Sequence, residues 1–111
     1  MNIEQRKVGS VDVLTPGGAL VDEDGAAFAR VLRERVEAPN ARVVVCLRNV
    51  PYMDSEAIEA LLDASDRLAD RADVLKLASV PSTCREILEV TGTASQFRFF
   101  TEIQDAVRSF L

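Results

Sequence analysis

Residues 41–71, ARVVVCLRNVPYMDSEAIEALLDASDRLADR, decide the fold that we predict for this chain. Residues 42–47 include five consecutive apolar side chains, which is typical of a β-strand covered on both faces. A short loop with one proline follows, and residues 55–71 then repeat apolar side chains at the spacing of an amphipathic helix. A strand buried on both faces needs helices above and below its sheet. The stretch therefore predicts an α/β domain, with Asp54 and Ser55 at the joint between loop and helix.

The rest of the chain adds elements to this unit. Strands are predicted at residues 2–7, 8–15, 73–80 and 97–100, and helices at Asp22–Glu37, between Pro81 and Gly92, and after Thr101. Gly9-Ser10 is a short turn that pairs the first two strands as a hairpin. We predict one domain over residues 1–111, with a central mixed sheet of about four to five strands and about four α-helices packed on it.

Three local signals predict element boundaries. Pro16-Gly17-Gly18 is expected to break the second strand, because proline lacks a backbone N–H and glycine favours turns. Thr83 with Glu86, and Thr101 with Gln104, have the spacing of capping boxes. These two pairs predict the starts of the last two helices.

Composition excludes several function classes. The net charge of −5 argues against nucleic-acid binding, which needs a basic patch to neutralise phosphates. No apolar run approaches the length of a membrane-spanning helix, and the first ten residues lack the apolar core of a secretory signal. We therefore expect a cytoplasmic protein without membrane insertion.

The chain contains no histidine, which removes the commonest general base and the commonest transition-metal ligand. No paired carboxylates or cofactor fingerprint replaces them. We predict no catalytic residue, cofactor or metal site, and hence no enzyme. Cys46 and Cys84 both lie among apolar residues and are expected to be small buried side chains without a disulfide.

The helix after Ser55 has three faces at about 100° per residue. The inner face is predicted to hold Ile58, Leu61, Leu62, Leu68 and Ala69, the acidic face Glu56, Glu59, Asp63, Asp66 and Asp70, and an alanine strip Ala57, Ala60 and Ala64. One interpretation is a solvated acidic face beside good helix formers. The other is a docking surface beside Ser55 for a basic partner, formed by Glu56, Ala57, Glu59, Ala60, Asp63 and Ala64.

Two interpretations of Asp54-Ser55 are also open. Both residue types commonly cap helices, so they could have that role alone. Alternatively, a phosphoryl group on Ser55 would be held by the free N–H groups at the start of the helix. Such a group would change the electrostatics that a partner meets without refolding the domain.

Nearly the whole chain resembles a STAS domain of the anti-sigma-factor-antagonist family. The resemblance is carried by VLTPGGAL, VVVCLRNVPYMDS, LKLASV, VTG at 90–92, FRFF and DAVRSF, and the most specific part ends in Asp54-Ser55. It implies that an ATP-dependent anti-sigma serine kinase phosphorylates Ser55 and that a metal-dependent phosphatase reverses this. Asp54 would cap the helix and present the hydroxyl. The unphosphorylated form would bind the kinase and free a sigma factor.

One departure from the family pattern leaves a second function open. The usual D-S-x-G is here Asp54-Ser55-Glu56-Ala57. The added methyl group lies where a kinase loop would approach, and Glu56 adds a fixed negative charge beside the acceptor. The alternative is a STAS scaffold without phosphorylation, in a signalling assembly or a transporter-associated complex.

Overall fold

The computed structural model describes residues 1–111 and contains one mixed sheet of five strands in the order β1-β2-β3-β4-β5. The strands are β1 (Asn2–Val8), β2 (Val11–Gly17), β3 (Val43–Cys46), β4 (Leu75–Ala78) and β5 (Phe97–Phe100). The helices are α1 (Asp22–Glu37), α2 (Ser55–Ala69), α3 (Ser82–Val90) and α4 (Ile103–Arg108). β1 is antiparallel to β2, and the other neighbours are parallel. The predicted fold class is confirmed.

Alternation along β3 explains why the strand is buried on both faces. Val43 and Val45 belong to the main core of 20 buried residues, which lies between the sheet and α1, α2 and α3. Val44 points to the other face and belongs to a smaller core of five buried residues under α4. Successive side chains of a strand point to opposite faces, so only a covered sheet accommodates this run of valines.

The hairpin turns at Gly9, whose φ of 61° suits glycine. β2 ends at Gly17, within the predicted break Pro16-Gly17-Gly18 but two residues beyond the predicted end at Thr15, and Pro16 lies opposite Ile3 of β1. β2 pairs with β3 only as far as Leu14. Pro16 therefore lies beyond the part of the strand that is paired on both sides, where a missing N–H is tolerated.

The bounds of α1 match the prediction, whereas α2 ends at Ala69, two residues before the predicted end. Both predicted capping boxes are wrong. α3 already begins at Ser82, so Thr83 has a helical backbone and cannot be the N-cap. The N-cap of α4 is Glu102, which leaves Thr101 outside the helix, and neither N-cap makes a side-chain hydrogen bond.

Cys46 and Cys84 are free and buried, as predicted. The Cys84 thiol donates a hydrogen bond to the Val50 carbonyl oxygen at 3.2 Å. Burial raises the pKa of this thiol, which keeps it in the unreactive protonated form. None of the helices has the length and hydropathy required to cross a membrane.

The alanine strip on α2 is not a docking surface, which corrects the prediction. Ala57 and Ala64 are 0% and 1% exposed and belong to the main core, and Ala60 is half-buried. Their side of α2 lies next to α1, which packs against α2 through the ion pairs Arg33–Asp63 and Glu37–Arg67. The small side chains therefore allow a close approach of α1, not of a partner protein. Ala69, which was assigned to the inner face, is exposed.

Enlarging a buried alanine tests this packing. We expect Ala64→Leu to lower the free energy of unfolding by about 1–3 kcal/mol, because the larger side chain overfills a packed position. The matched control is Ala69→Leu at the exposed end of α2, which should change stability by less than about 0.5 kcal/mol. Urea denaturation of both variants measures the difference. Equal stability of the two variants would show that α1 does not close over Ala64.

Candidate functional site

The joint before α2 is fixed by two loops that leave the same edge of the sheet. Leu20, from the loop after β2, forms an isolated parallel bridge with Met53, from the loop after β3. The Leu20 N–H donates to the Tyr52 carbonyl at 2.9 Å, and the Asp54 N–H donates to the Leu20 carbonyl at 3.1 Å. These bonds set the direction in which α2 begins. The carboxyl edge of a parallel sheet is a common place for functional sites.

The Asp54 carboxylate joins the starts of two helices. Its Oδ1 accepts the Ala57 N–H at 3.0 Å and so caps α2, while its Oδ2 accepts the Asp22 N–H at 3.0 Å at the start of α1. Asp22 has a φ of 48°, an uncommon value for a residue other than glycine. The hydrogen bonds from Ala57 and then Asp22 lower the pKa of Asp54 below its ordinary value of 3.8. The group is therefore ionised at neutral pH.

Ser55 is the first residue of α2 and is exposed. That the N–H groups at the start of α2 would hold a phosphoryl group on Ser55 stays a prediction. Asp54 already accepts the Ala57 N–H, and its ionised carboxylate lies beside Ser55 in the chain. A phosphoryl group on Ser55 would lie beside this negative charge.

The predicted partner surface divides into two parts when the helix is viewed down its axis. Glu56 faces α1 and lines a shallow groove of about 390 Å³ with Arg30 and Arg33. Asp63 pairs with Arg67 at 3.0 Å and with Arg33 at 3.9 Å. Asp63 is therefore engaged with basic residues of the domain, whereas Glu56 is exposed and forms no salt bridge. With Ala57 and Ala64 buried and Asp63 paired, Glu59 and the half-buried Ala60 remain from the set, together with Glu56 on the side of α1.

Another set of residues lies on the side of α2 that faces away from α1. At about 100° per residue this side holds Ser55, Glu59, Leu62 and Asp66, which we call the outer stripe. Glu59 and Asp66 are exposed, and neither takes part in a salt bridge. Sequence reasoning left Leu62 and Asp66 out of the partner surface. Their i, i+4, i+7 and i+11 spacing from Ser55 is the signal that could have found them.

The structure offers no alternative site for metal chemistry at this joint. No group of three or more Cys, Asp or Glu side chains is arranged to hold a metal ion. What the joint does present is a fixed, accessible hydroxyl next to a helix side of mixed acidic and apolar character.

Comparison with known protein families identifies the fold. The family model for the STAS domain matches residues 2–106. The chain belongs to the STAS domain family. Comparison of this STAS domain with curated protein sequences gave no match.

Solved structures show the same fold at low sequence identity. The STAS domain is similar to an anti-sigma-factor antagonist (STAS) domain protein from Planctomyces limnophilus (21% identity, TM-score 0.82, 96% of each chain covered). It is also similar to the anti-sigma factor antagonist SpoIIAA in its unphosphorylated form (17%, 0.75, 99% of each chain). A sulfate transporter family protein from Wolinella succinogenes is a further neighbour (19%, 0.73, 89% of this chain and 83% of that one).

Replacing Asp54 by asparagine tests whether its carboxylate accepts hydrogen bonds from the starts of both α1 and α2. Asparagine can still accept from Ala57, but its NH₂ group would meet the Asp22 N–H, so we expect a lower melting temperature. Because the pKa of Asp54 is lowered in the folded state, its stabilising contribution is present above pH 3.8 and is lost as the pH falls through the lowered value.

Urea denaturation of wild type and Asp54→Asn at neutral and acidic pH measures this stabilising contribution. The difference in stability between wild type and Asp54→Asn should be largest at neutral pH and should shrink as the pH falls below 3.8. Asp66→Asn, an exposed residue of the same helix, serves as the control and should change stability little. A difference for Asp54→Asn that stays constant with pH would contradict the assigned role.

Proposed function

We propose that this STAS domain is a regulatory protein-binding domain of the anti-sigma-factor-antagonist type. Its unphosphorylated form binds an anti-sigma serine kinase through the outer stripe, and phosphorylation of Ser55 ends this binding. The position of Ser55 carries the proposal, because the exposed hydroxyl begins α2 and lies on the same side as Glu59, Leu62 and Asp66.

A phosphoryl acceptor needs an accessible hydroxyl and a fixed backbone, and the kinase supplies the rest of the chemistry. The Ser55 Oγ attacks the γ-phosphorus of ATP, the bond to ADP breaks, and the hydroxyl proton passes to a base of the kinase. The chain contributes no histidine that could act as this base. Asp54 positions Ser55, because its carboxylate caps α2 and connects the start of α2 to the start of α1. Ser55 is thus the phosphoryl acceptor and not a catalytic residue.

The switch would act through charge. A phosphoryl group adds about −1.5 to −2 charges and three acceptor oxygens. It would join the ionised Asp54, and the first turn of α1 adds three more acidic residues, Asp22, Glu23 and Asp24. Desolvating so many negative charges in an interface is costly unless the partner supplies matching cations. Phosphorylation therefore ends binding without any change in the fold of the domain.

The unphosphorylated outer stripe has the character of a protein interface. Leu62 is half-buried against the main core and leaves only part of its apolar side chain exposed, and Tyr52 in the preceding loop is 52% exposed. Exposed aromatic residues of this kind are enriched at binding surfaces. Glu59 and Asp66 favour a partner with basic residues at matching positions.

The proposal includes a cytoplasmic location, where ATP-dependent kinases act, a phosphatase that restores Ser55, and residues 1–111 as one domain. A second candidate is a STAS scaffold that binds its partner without phosphorylation. It is favoured by Glu56 and Ala57 in place of the x-Gly of the family pattern, and by the similarity to a sulfate transporter family protein. The two candidates differ in whether Ser55 is ever modified.

Intact mass spectrometry distinguishes these candidates. We expect co-expression with the anti-sigma serine kinases of the source organism, one at a time, to add one phosphoryl group with at least one kinase. Ser55→Ala should abolish the gain. Ser82→Ala is the matched control, because Ser82 is also exposed and also begins a helix, but follows Pro81 in place of an aspartate. Phosphorylation of Ser55→Ala, or no gain with any kinase, would favour the scaffold.

Charge reversal on the outer stripe tests the partner surface. With the kinase identified in that experiment, Glu59→Lys and Asp66→Lys should each weaken binding on the order of tenfold, with a smaller salt dependence of the association rate. Glu86→Lys, an exposed acidic residue on α3, is the control for net charge. Surface plasmon resonance at two salt concentrations measures both effects. Similar losses for all three variants would assign the effect to net charge and would remove the outer stripe from the interface.

A further inference from the structure

A shallow depression lies at the opposite end of the parallel strands from Ser55. It has a volume of about 500 Å³ and is open to solvent, and we call it the basic cavity because four cationic side chains line it: Arg42, Arg71, Lys76 and Arg98. Asp73 is the one acidic residue in its wall, and Leu68 and Phe110 supply apolar surface. Arg42 immediately precedes β3 and Asp73 lies before β4, so the cavity is at the amino ends of the parallel strands.

Lys76 is the unusual residue of this cavity. It is only 4% exposed, and it lies directly opposite Arg98 in the pairing of β4 with β5. Like charges opposite each other on neighbouring strands are destabilising. The Lys76 ammonium forms no salt bridge and no hydrogen bond within the chain, and its Nζ lies over the Phe110 ring, 3.3 Å from the ring centroid.

The Lys76 ammonium reaches the cavity. Every side-chain nitrogen or oxygen that is fully removed from solvent has a hydrogen-bond partner, and the Lys76 Nζ has none. The Nζ therefore keeps its solvent contact, and the basic cavity is the space that Lys76 lines. Burial lowers the pKa of Lys76 and so do the charges of Arg98 and Arg42, whereas Asp73 raises it. Asp73 is thus the one acidic group that offsets part of the positive charge around Lys76.

Two of the arginines are held in place without being neutralised. The Arg42 Nη1 donates to the Ser10 Oγ at 3.0 Å, and the Arg98 guanidinium lies 5.0 Å from the centroid of the Phe100 ring. A hydroxyl and an aromatic ring fix the direction of a guanidinium but supply no negative charge. Their remaining N–H groups are free for an anion.

We propose that the basic cavity binds a small anion that carries a phosphoryl group. Arginine side chains match the geometry of phosphate oxygens, and a buried lysine supplies a concentrated positive charge. A volume of about 500 Å³ is within the range of small-molecule sites. The bound anion removes the repulsion between Lys76 and Arg98, so binding stabilises the fold. This site is independent of the phosphorylation of Ser55, which lies at the other edge of the sheet.

Isothermal titration calorimetry of the full chain with inorganic pyrophosphate tests the site. We expect saturable one-to-one binding that raises the melting temperature. Lys76→Met removes the charge but keeps an unbranched chain over Phe110, and Arg71→Gln changes an exposed residue. Each should weaken binding on the order of tenfold or more. Lys76→Met alone should raise the melting temperature without ligand, because it removes the like-charge pair of Lys76 and Arg98 on neighbouring strands.

Arg6→Gln is the matched control, since it removes one exposed cation of β1 that is outside the basic cavity. It should leave pyrophosphate affinity within about twofold of wild type. A parallel titration with adenosine diphosphate identifies the source of the phosphoryl group. If adenosine diphosphate binds more tightly than pyrophosphate, the ligand is a nucleotide. If the two bind equally, the ligand is a free phosphate compound. Absence of saturable binding of both ligands, or an equal loss with Arg6→Gln, would overturn the proposal.

Discussion

The Asp54 carboxylate accepts one backbone N–H from each of two helices, at 3.0 Å in both cases. The first residues of a helix have N–H groups without partners inside the helix, and a side-chain acceptor is the usual remedy. Here a single acceptor serves α1 and α2 together. The bridge from Leu20 to Met53 brings the two helix starts close enough for this to happen. The position and exposure of Ser55 depend on this arrangement.

Parallel strands separate the two charged regions of the domain. The carboxyl ends of β2 and β3 lead into α1 and α2, so acidic residues of both first turns collect at that edge. The amino ends of β3, β4 and β5 meet at the opposite edge, where the basic cavity lies. The proposed partner binding and the proposed anion binding thus use different surfaces. Helix α2 spans the distance between them, because Ser55 is its first residue and Leu68, near its end, lines the basic cavity.

Local sequence patterns were sufficient to predict the sheet, the hairpin and α1. The valines at 43–45 indicate burial on both faces wherever the strand lies, and the apolar spacing in α1 needs no knowledge of its neighbours. The helix period shows which residues share a side but not what covers that side. Ala57 and Ala64 were therefore assigned to solvent, although α1 covers them.

These local patterns do not predict contacts between residues that are far apart in the sequence. Asp54 and Asp22 are 32 positions apart, and neither residue type indicates such a pairing. Lys76 stands between two leucines in LKLA, a pattern typical of a strand with one solvated face. The Phe110 ring, from the end of the chain, covers that face and buries the lysine.

The departure from D-S-x-G acts on the packing of α2 and not on the outer stripe. Ala57 is fully buried, and its N–H is the one that caps α2 through Asp54. Alanine favours helix over glycine by up to about 1 kcal/mol, so it strengthens the start of α2. Glu56 points toward Arg30 and Arg33 of α1, away from the side that holds Ser55. A firmer helix start with an unobstructed hydroxyl suits a switch that works by adding charge, because such a switch requires no movement of α2.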